Sequence, residues 1–253
     1  MRDNRVRARL KRGRAVFGMM VTEIENPAVP VILADAGFDF FTLDMEHGTF
    51  DLSTAATILK VARLANIAPI VRVPDGWYHL ITPVLDAGAM GIIVPRVETR
   101  EVAERSLAAM RYPPVGVRGV FCGKANSDYT TPKLLEYTRH ANDNILSIIQ
   151  IESKLAVERA DELLATPGLD GVMVGPWDLA LSLGVDPSDP LVVEMTQHVV
   201  DAAQRHDVAS GIHVGDPAQI KMWQSRGMTF LSCLTDLEML RNAAQALFNT
   251  LRG

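Results

Sequence analysis

The chain has 253 residues, 48% hydrophobic and 22% charged, enough to bury a substantial core as one large α/β domain or two small ones. A formal net charge of -5 offers no basic surface for nucleic acid, and no uninterrupted apolar run is long enough to cross a bilayer, so a cytoplasmic protein without nucleic-acid or membrane partners is expected. Cys122 and Cys233 lie far apart without a metal-ligand spacing, which argues against a disulfide framework and leaves two buried or idle thiols.

In chain order, residues 2–14 come first, dense in Arg and Lys but lacking the apolar stretch of a secretory signal. Val6, Leu10 and then Gly13 fit a short amphipathic helix with a solvated basic face, ending before the first strand. Apolar strand-like runs follow at 15–21, 38–43, 68–73, 91–95, 145–151, 171–175, 209–214 and 229–233. Helical patterns separate them at 27–36, 52–65, 78–87, 99–110, 154–165, 190–206 and 217–226, with a last one at 236–251. Eight strand and helix repeats in this length predict a single (β/α)8 TIM barrel spanning residues 1–253; a doubly wound sheet would usually need fewer strands or a second domain.

Local signals agree. Gly37, Gly88, Gly168 and Gly227 each fall just before a strand, where a helix C-cap or a tight turn is expected. Pro27 and Pro217 open their helices, where a missing N–H costs nothing. Residues 111–128, rich in Gly, Pro and polar side chains, predict a long functional loop after strand four.

In a barrel of this kind chemistry gathers where strands end. Strand two ends in Asp44-Met45-Glu46-His47-Gly48, strand three in Arg72-Val73-Pro74, strand five in Gln150-Ile151-Glu152 and strand six in Gly175-Pro176-Trp177-Asp178, with His213 on strand seven. Glu152 and Asp178 are the pair to weigh first. A strand buried on both faces does not readily hide an acid, so an acid at its end faces either a site or an ordinary loop. Two such oxygen ligands would suit a hard divalent cation that keeps water or substrate on its other positions. An Arg, a His and two acids at one rim make a metal-assisted site for an anionic, oxygen-rich substrate plausible. A lone strand-end His is more often structural, and His213, His79, His198 and His206 are read that way.

The motifs Asp44-Met45-Glu46-His47-Gly48, Ile70-Val71-Arg72-Val73-Pro74, Leu85-Asp86-Ala87-Gly88-Ala89, Gly91-Ile92-Ile93-Val94-Pro95, Gln150-Ile151-Glu152 and Gly175-Pro176-Trp177-Asp178-Leu179 together resemble the HpcH/HpaI aldolases. These are metal-dependent pyruvate aldolases that include 4-hydroxy-2-oxoheptanedioate and 2-keto-3-deoxy sugar acid aldolases. The resemblance implies a class II aldolase joining a pyruvate enolate to an aldehyde, with Glu152 and Asp178 holding Mg, Mn or Co. It implies that Arg72 meets the keto oxygen, that His47 supported by Asp86 moves the proton, and that Gln150 buttresses the site. Backbone N–H groups around Trp177 and Asp178 would receive the pyruvate carboxylate. No strand ends on a lysine, in keeping with chemistry that needs no Schiff base.

The resemblance further implies a homohexamer built as a trimer of dimers, with the last helix exchanged between partners. Leu237, Leu240, Ala244, Leu247 and Leu251 form an apolar stripe that suits such an exchange or packing on the helix's own barrel. Two departures stand out: Trp177 replaces a small residue between Pro and Asp, and residues 121–126 depart from the family's small-residue loop. Both changes lie where the acceptor would sit. Two other functions are therefore weighed, a condensing enzyme of the same barrel using another electrophile such as oxaloacetate to form citrate, and a non-enzymatic binding barrel.

Overall fold

The structure, a computed structural model, describes residues 2–253. Eight strands form among these residues: β1 (Val16–Val21), β2 (Phe40–Asp44), β3 (Ala68–Arg72), β4 (Gly91–Val94), β5 (Leu146–Ile151), β6 (Gly171–Val174), β7 (Ala209–Val214) and β8 (Phe230–Thr235). They are parallel and close into a barrel in sequence order, β1 meeting β8 with Val16 opposite Phe230. The expected (β/α)8 barrel is what forms, each strand within a residue or two of its expected bounds.

Alternation along the strands separates two cores. Phe40, Ile70, Ile93, Ile148, Met173 and Phe230 fill the barrel interior, while Leu43, Val71, Ile92, Ile149, Val172 and Leu231 pack against the helices outside. The rings of Phe40 and Phe230 stack with centroids 4.2 Å apart. Glycine makes room for them: a Cβ at Gly18 would lie 2.4 Å from the Phe40 ring, and one at Gly211 would lie 2.7 Å from the Phe230 Cβ.

The N-terminal helix α1 (Arg5–Leu10) is more than a solvated arm. Val6 and Leu10 are buried in the interior core, so α1 closes the end of the barrel where the strands begin, and Arg7 pins it to Asp170 at 2.8 Å. Around the barrel run α2 (Val29–Asp35), α3 (Leu52–Ala62), α4 (Tyr78–Asp86), α5 (Arg100–Met110), α6 (Leu134–Asn144), α7 (Lys154–Glu158) and α8 (Ala160–Leu164). They continue as α9 (Pro176–Leu183), α10 (Pro190–Arg205), α11 (Pro217–Ser225) and α12 (Asp236–Arg252). Gly37, Gly88, Gly168 and Gly227 all take positive φ, between 83° and 115°, in the αβ turns expected of them.

Four expectations need correction. The helix expected over 154–165 is two pieces, because the backbone at Arg159 leaves helical geometry. Pro27 precedes its helix rather than opening it, Pro30 being the proline of the first turn. An unforeseen helix, α6, occupies 134–144; it buries only Tyr137 and exposes Leu134 and Leu135, so it carries no apolar stripe to read. The long loop follows α5, not β4. It runs from the foot of α5 along the outside of the helix ring, where Gly119 N–H bonds Tyr78 and Asp128 meets Arg63 beyond the end of α3. Among the described residues no helix is long and apolar enough to cross a membrane.

Candidate active site

Even steps along each strand carry interior positions to the end where chemistry is expected. Arg72 lies two residues beyond interior Ile70, Gln150 two beyond Ile148 and Ser232 two beyond Phe230, while Asp44 lies four beyond Phe40. A polar layer therefore tops an apolar one. Arg72 is its centre: Nε donates to Asp44 Oδ1 at 2.8 Å and Nη2 to Oδ2 at 2.7 Å, a two-toothed pair buried on both sides. Its third nitrogen, Nη1, stands 3.3 Å from Glu46 Oε2. Burial works against the charge of Arg72, but Asp44 and Glu46 outweigh it and hold the guanidinium above its usual range.

Asp44 also turns the chain leaving β2, its Oδ1 accepting the N–H of Glu46 at 3.1 Å and of His47 at 3.4 Å. His47 is thereby presented at the rim with its ring 65% exposed and Nε2 3.9 Å from Glu46. An exposed imidazole beside a buried arginine and acid can move protons to and from a ligand in the mouth.

Glu152 is buried just past β5. Its Oε1 accepts the backbone N–H of Arg96 at 2.7 Å and its Oε2 accepts from Gln150 Nε2. Burial pushes its carboxyl up; the Arg96 and Gln150 bonds oppose this, while Glu46 and Asp178 raise it further. Burial likewise pushes Glu46 up against the pull of Arg72, His47 and Arg96. Gly175 lets the acid sit there, since a Cβ would come within 2.5 Å of Glu152 Oε2. Asp178 lies in the first turn of α9, exposed at the mouth and close enough to repel Glu152. Trp177 beside it is 74% exposed and so does not fill the barrel interior.

Two residues sort differently from expectation. Asp86 and His47 are not brought together within the chain. Asp86 ends α4, at the side where strands begin, with Arg118 Nη2 at 2.7 Å and Asn126 Nδ2 at 3.3 Å, and it borders an external groove with Leu52, Lys60 and Tyr129. His213, read as structural, does belong to the polar layer: its Nδ1 lies 2.9 Å from Ser232 Oγ, and burial with the charge of Arg72 lowers its pKa to about 4.

Arg96 went unnoticed in the sequence although it stands just past β4, as Glu152 does past β5. Its signal in the sequence is its place at the end of strand four, two residues past Val94. A cavity of about 580 Å³ at the opposite end of the barrel is lined by arginines already engaged, Arg9 with Asp39 and Arg5 with Asn66, and lies far from these residues.

Residues 18–243 match the family model of the HpcH/HpaI aldolase/citrate lyase. The chain belongs to that family. A 5-keto-4-deoxy-D-glucarate aldolase of Shigella sonnei is 37% identical over 231 residues, 90% of each chain. Among solved structures, an HpcH/HpaI aldolase from Desulfitobacterium hafniense is 31% identical with a TM-score of 0.92, covering 97% of this chain and 95% of its own. The citrate synthase SbnG is also 31% identical, with a TM-score of 0.85 and 97% of each chain covered. Membership makes the protein an enzyme, a carbon–carbon lyase of the aldolase type acting on small molecules, and removes the non-catalytic binding barrel.

Proposed function

We propose that this HpcH/HpaI enzyme makes or breaks the bond between a pyruvate enolate and an aldehyde, as a metal-dependent 4-hydroxy-2-oxoacid lyase. The observation that carries this reading is the buried Asp44–Arg72 fork at the strand ends, with the carboxylates of Glu46 and Glu152 close to it. Glu152 and Asp178 would hold Mg, Mn or Co. The donors fit: they are oxygens without sulfur, Gln150 Oε1 is buried without a partner, and Gly175 leaves the carboxylate its space. When bound, the ion would supply Lewis acidity to the keto group of a 2-oxoacid.

The chain's own residues would do the rest. Arg72 would donate to the keto oxygen and stabilise the negative charge that develops there. His47 would take the proton of the C4 hydroxyl. The C3–C4 bond then breaks, its electron pair passes to the enolate, the aldehyde leaves, and a proton returned to C3 gives pyruvate. Backbone N–H groups at the start of α9 would receive the carboxylate, Gln150 would steady Glu152, and exposed Trp177 would border the acceptor. Asp86 would support His47 only from outside this chain. We further propose a cytoplasmic homohexamer, a trimer of dimers with α12 exchanged between partners, a reading that the exposure of α12 supports.

Likeness to the citrate synthase SbnG favours one second reading, addition of an enolate to oxaloacetate, which forms citrate when the enolate is a two-carbon one from an acetyl donor in place of pyruvate's. Pyruvate release from a panel of 4-hydroxy-2-oxoacids, after chelation and with Mg, Mn or Co restored, tests the first. Full activity after exhaustive chelation sinks the metal assignment. No pyruvate release from any substrate, with condensation onto oxaloacetate, selects the second.

A further inference from the structure

Arg72, His47 and the carboxylates leave two members of the polar layer unused, His213 and Ser232. Below them Gly211 and Phe230 face the barrel interior, a Cβ on Gly211 falling 2.7 Å from the Phe230 Cβ. One even step further along β7 and β8 brings His213 and Ser232 side by side in register.

The pair decides which ring nitrogen carries hydrogen. Ser232 is fully buried, and among the described residues its Oγ has one partner, His213 Nδ1 at 2.9 Å. A buried hydroxyl needs an acceptor for its hydrogen, so Ser232 O–H donates to Nδ1 and the hydrogen of the neutral ring sits on Nε2. The ring is neutral near pH 7, since burial and Arg72 lower its pKa to about 4. Among the described residues Nε2 has no hydrogen-bond partner.

This open N–H shares its part of the layer with Arg72. From β3, Arg72 reaches past β2 to β1, where Nη2 stands 3.8 Å from Met20 Sδ. β8 flanks β1 on the other side, so His213 and Ser232 approach the same region from β7 and β8, and the charges of Arg72 and Asp44 are felt at the imidazole. Arg72 itself commits Nε and Nη2 to Asp44 and turns Nη1 toward Glu46. An oxygen gaining charge in front of it therefore has use for a second donor. A neutral N–H suits that place, because its bond strengthens as negative charge grows and it repels neither a guanidinium nor a cation as imidazolium would.

We propose that His213 Nε2–H is a second donor to the keto oxygen of the 2-oxoacid, beside Arg72, and stabilises the enolate that forms there. This inference rests on the aldolase reading above. His213 keeps its proton throughout: the C3–C4 electron pair passes to the enolate as before, and only the hydrogen bond to its oxygen strengthens. His213 is then a catalytic residue, and Ser232 positions it by fixing the tautomer.

The test follows exchange of pyruvate methyl protons with solvent deuterium, and binding of pyruvate and of oxalate by calorimetry, in Mg-loaded wild type, His213→Leu, His213→Met and His213→Gln. Oxalate is a stable, planar mimic of the enolate, so a donor that acts on developing charge holds it more strongly than it holds pyruvate. His213→Leu and His213→Met should lower kcat of exchange about ten- to a hundredfold with KM within a few-fold, and should weaken oxalate about tenfold more than pyruvate. His213→Gln, whose amide keeps an N–H in the same region, should recover most of both. Unchanged kcat in the variants without a donor, equal weakening of oxalate and pyruvate, or a His213→Gln as impaired as His213→Leu each overturns the proposal. Should neither His213→Leu nor His213→Met fold, NMR of wild type labelled with nitrogen-15 histidine decides. Oxalate should move downfield the ring N–H signal that is missing from His213→Gln, and a signal that stays in place overturns the proposal. If wild type neither exchanges pyruvate protons nor releases pyruvate from any 4-hydroxy-2-oxoacid, it is the aldolase reading that fails.

Discussion

Arg72 shows how much of this site depends on shape as well as charge. Its fork spans both oxygens of Asp44 and its remaining nitrogen faces Glu46, an arrangement a single ammonium cannot reproduce. Arg72→Lys should therefore keep the charge yet slow pyruvate proton exchange by about a hundredfold to a thousandfold, the usual effect of losing one donor at a developing oxyanion. A variant within a few-fold of wild type would remove Arg72 from that role. His213 bears on stability instead. Burial and Arg72 lower its pKa to about 4 in the folded chain, below the ordinary histidine range, so the unfolded chain binds the proton more readily as pH falls. The stability it contributes is complete above about pH 6.5 and lost as pH falls toward 4. In urea unfolding, wild type should lose more stability between pH 7 and pH 5 than His213→Gln; equal losses would place the acid sensitivity elsewhere.

At the scale of elements, a carboxylate ties the last helix to the first strand. Asp236, the first residue of α12, accepts from Thr22 N and Oγ1 at 3.1 and 2.8 Å, Glu23 N at 3.0 Å and Ile24 N at 2.7 Å. Burial works against its charge, but these bonds prevail and hold the carboxyl below its ordinary range, so its contribution is present above that range and lost on acidification. Asp236→Ala should cost about 1–3 kcal/mol in chemical denaturation, since three part-buried N–H groups lose a charged acceptor. A loss below 0.5 kcal/mol, the size of an ordinary surface change, would show that water replaces it. This tie has no sequence signature: residues 22 and 236 lie at opposite ends of the chain, and only closure of the barrel joins them. The strands were legible because both faces are buried, which leaves near-continuous apolar runs such as Ile145 to Ile151 and fixed even steps to Asp44, Arg72 and Gln150. The helix α6 was not, because its contacts are made by polar residues such as Asn142, which accepts from Tyr112 N, and Asn144, which accepts from Asn4 N. Asp86 could be recognised by its motif but not placed, since the motif records a residue type and not which end of a helix faces the chemistry.

The whole molecule presents surface that one chain does not cover. Beyond its first turn α12 leaves the barrel, exposing Leu240 at 59%, Leu247 at 61% and Leu251 at 75% along one stripe, with Phe248 beside it. The loop between α5 and α6 adds Val115, Val117 and Phe121 to the exposed apolar residues. Single apolar residues on a surface are ordinary, but a stripe along a projecting helix is what an association surface looks like. Such a helix is also too lightly packed to be held by its own barrel, so its order is expected to come from a second chain. Burying each leucine would contribute about 1.5–3 kcal/mol, which the pair Leu240→Glu and Leu247→Glu should remove while the barrel, whose core it does not touch, stays folded. Light scattering should therefore find wild type as a multimer and the double variant as a smaller species with the same circular dichroism. A wild type that scatters as a monomer at working concentration would end the exchange of α12, whereas a double variant that stays multimeric would move the interface to the loop between α5 and α6.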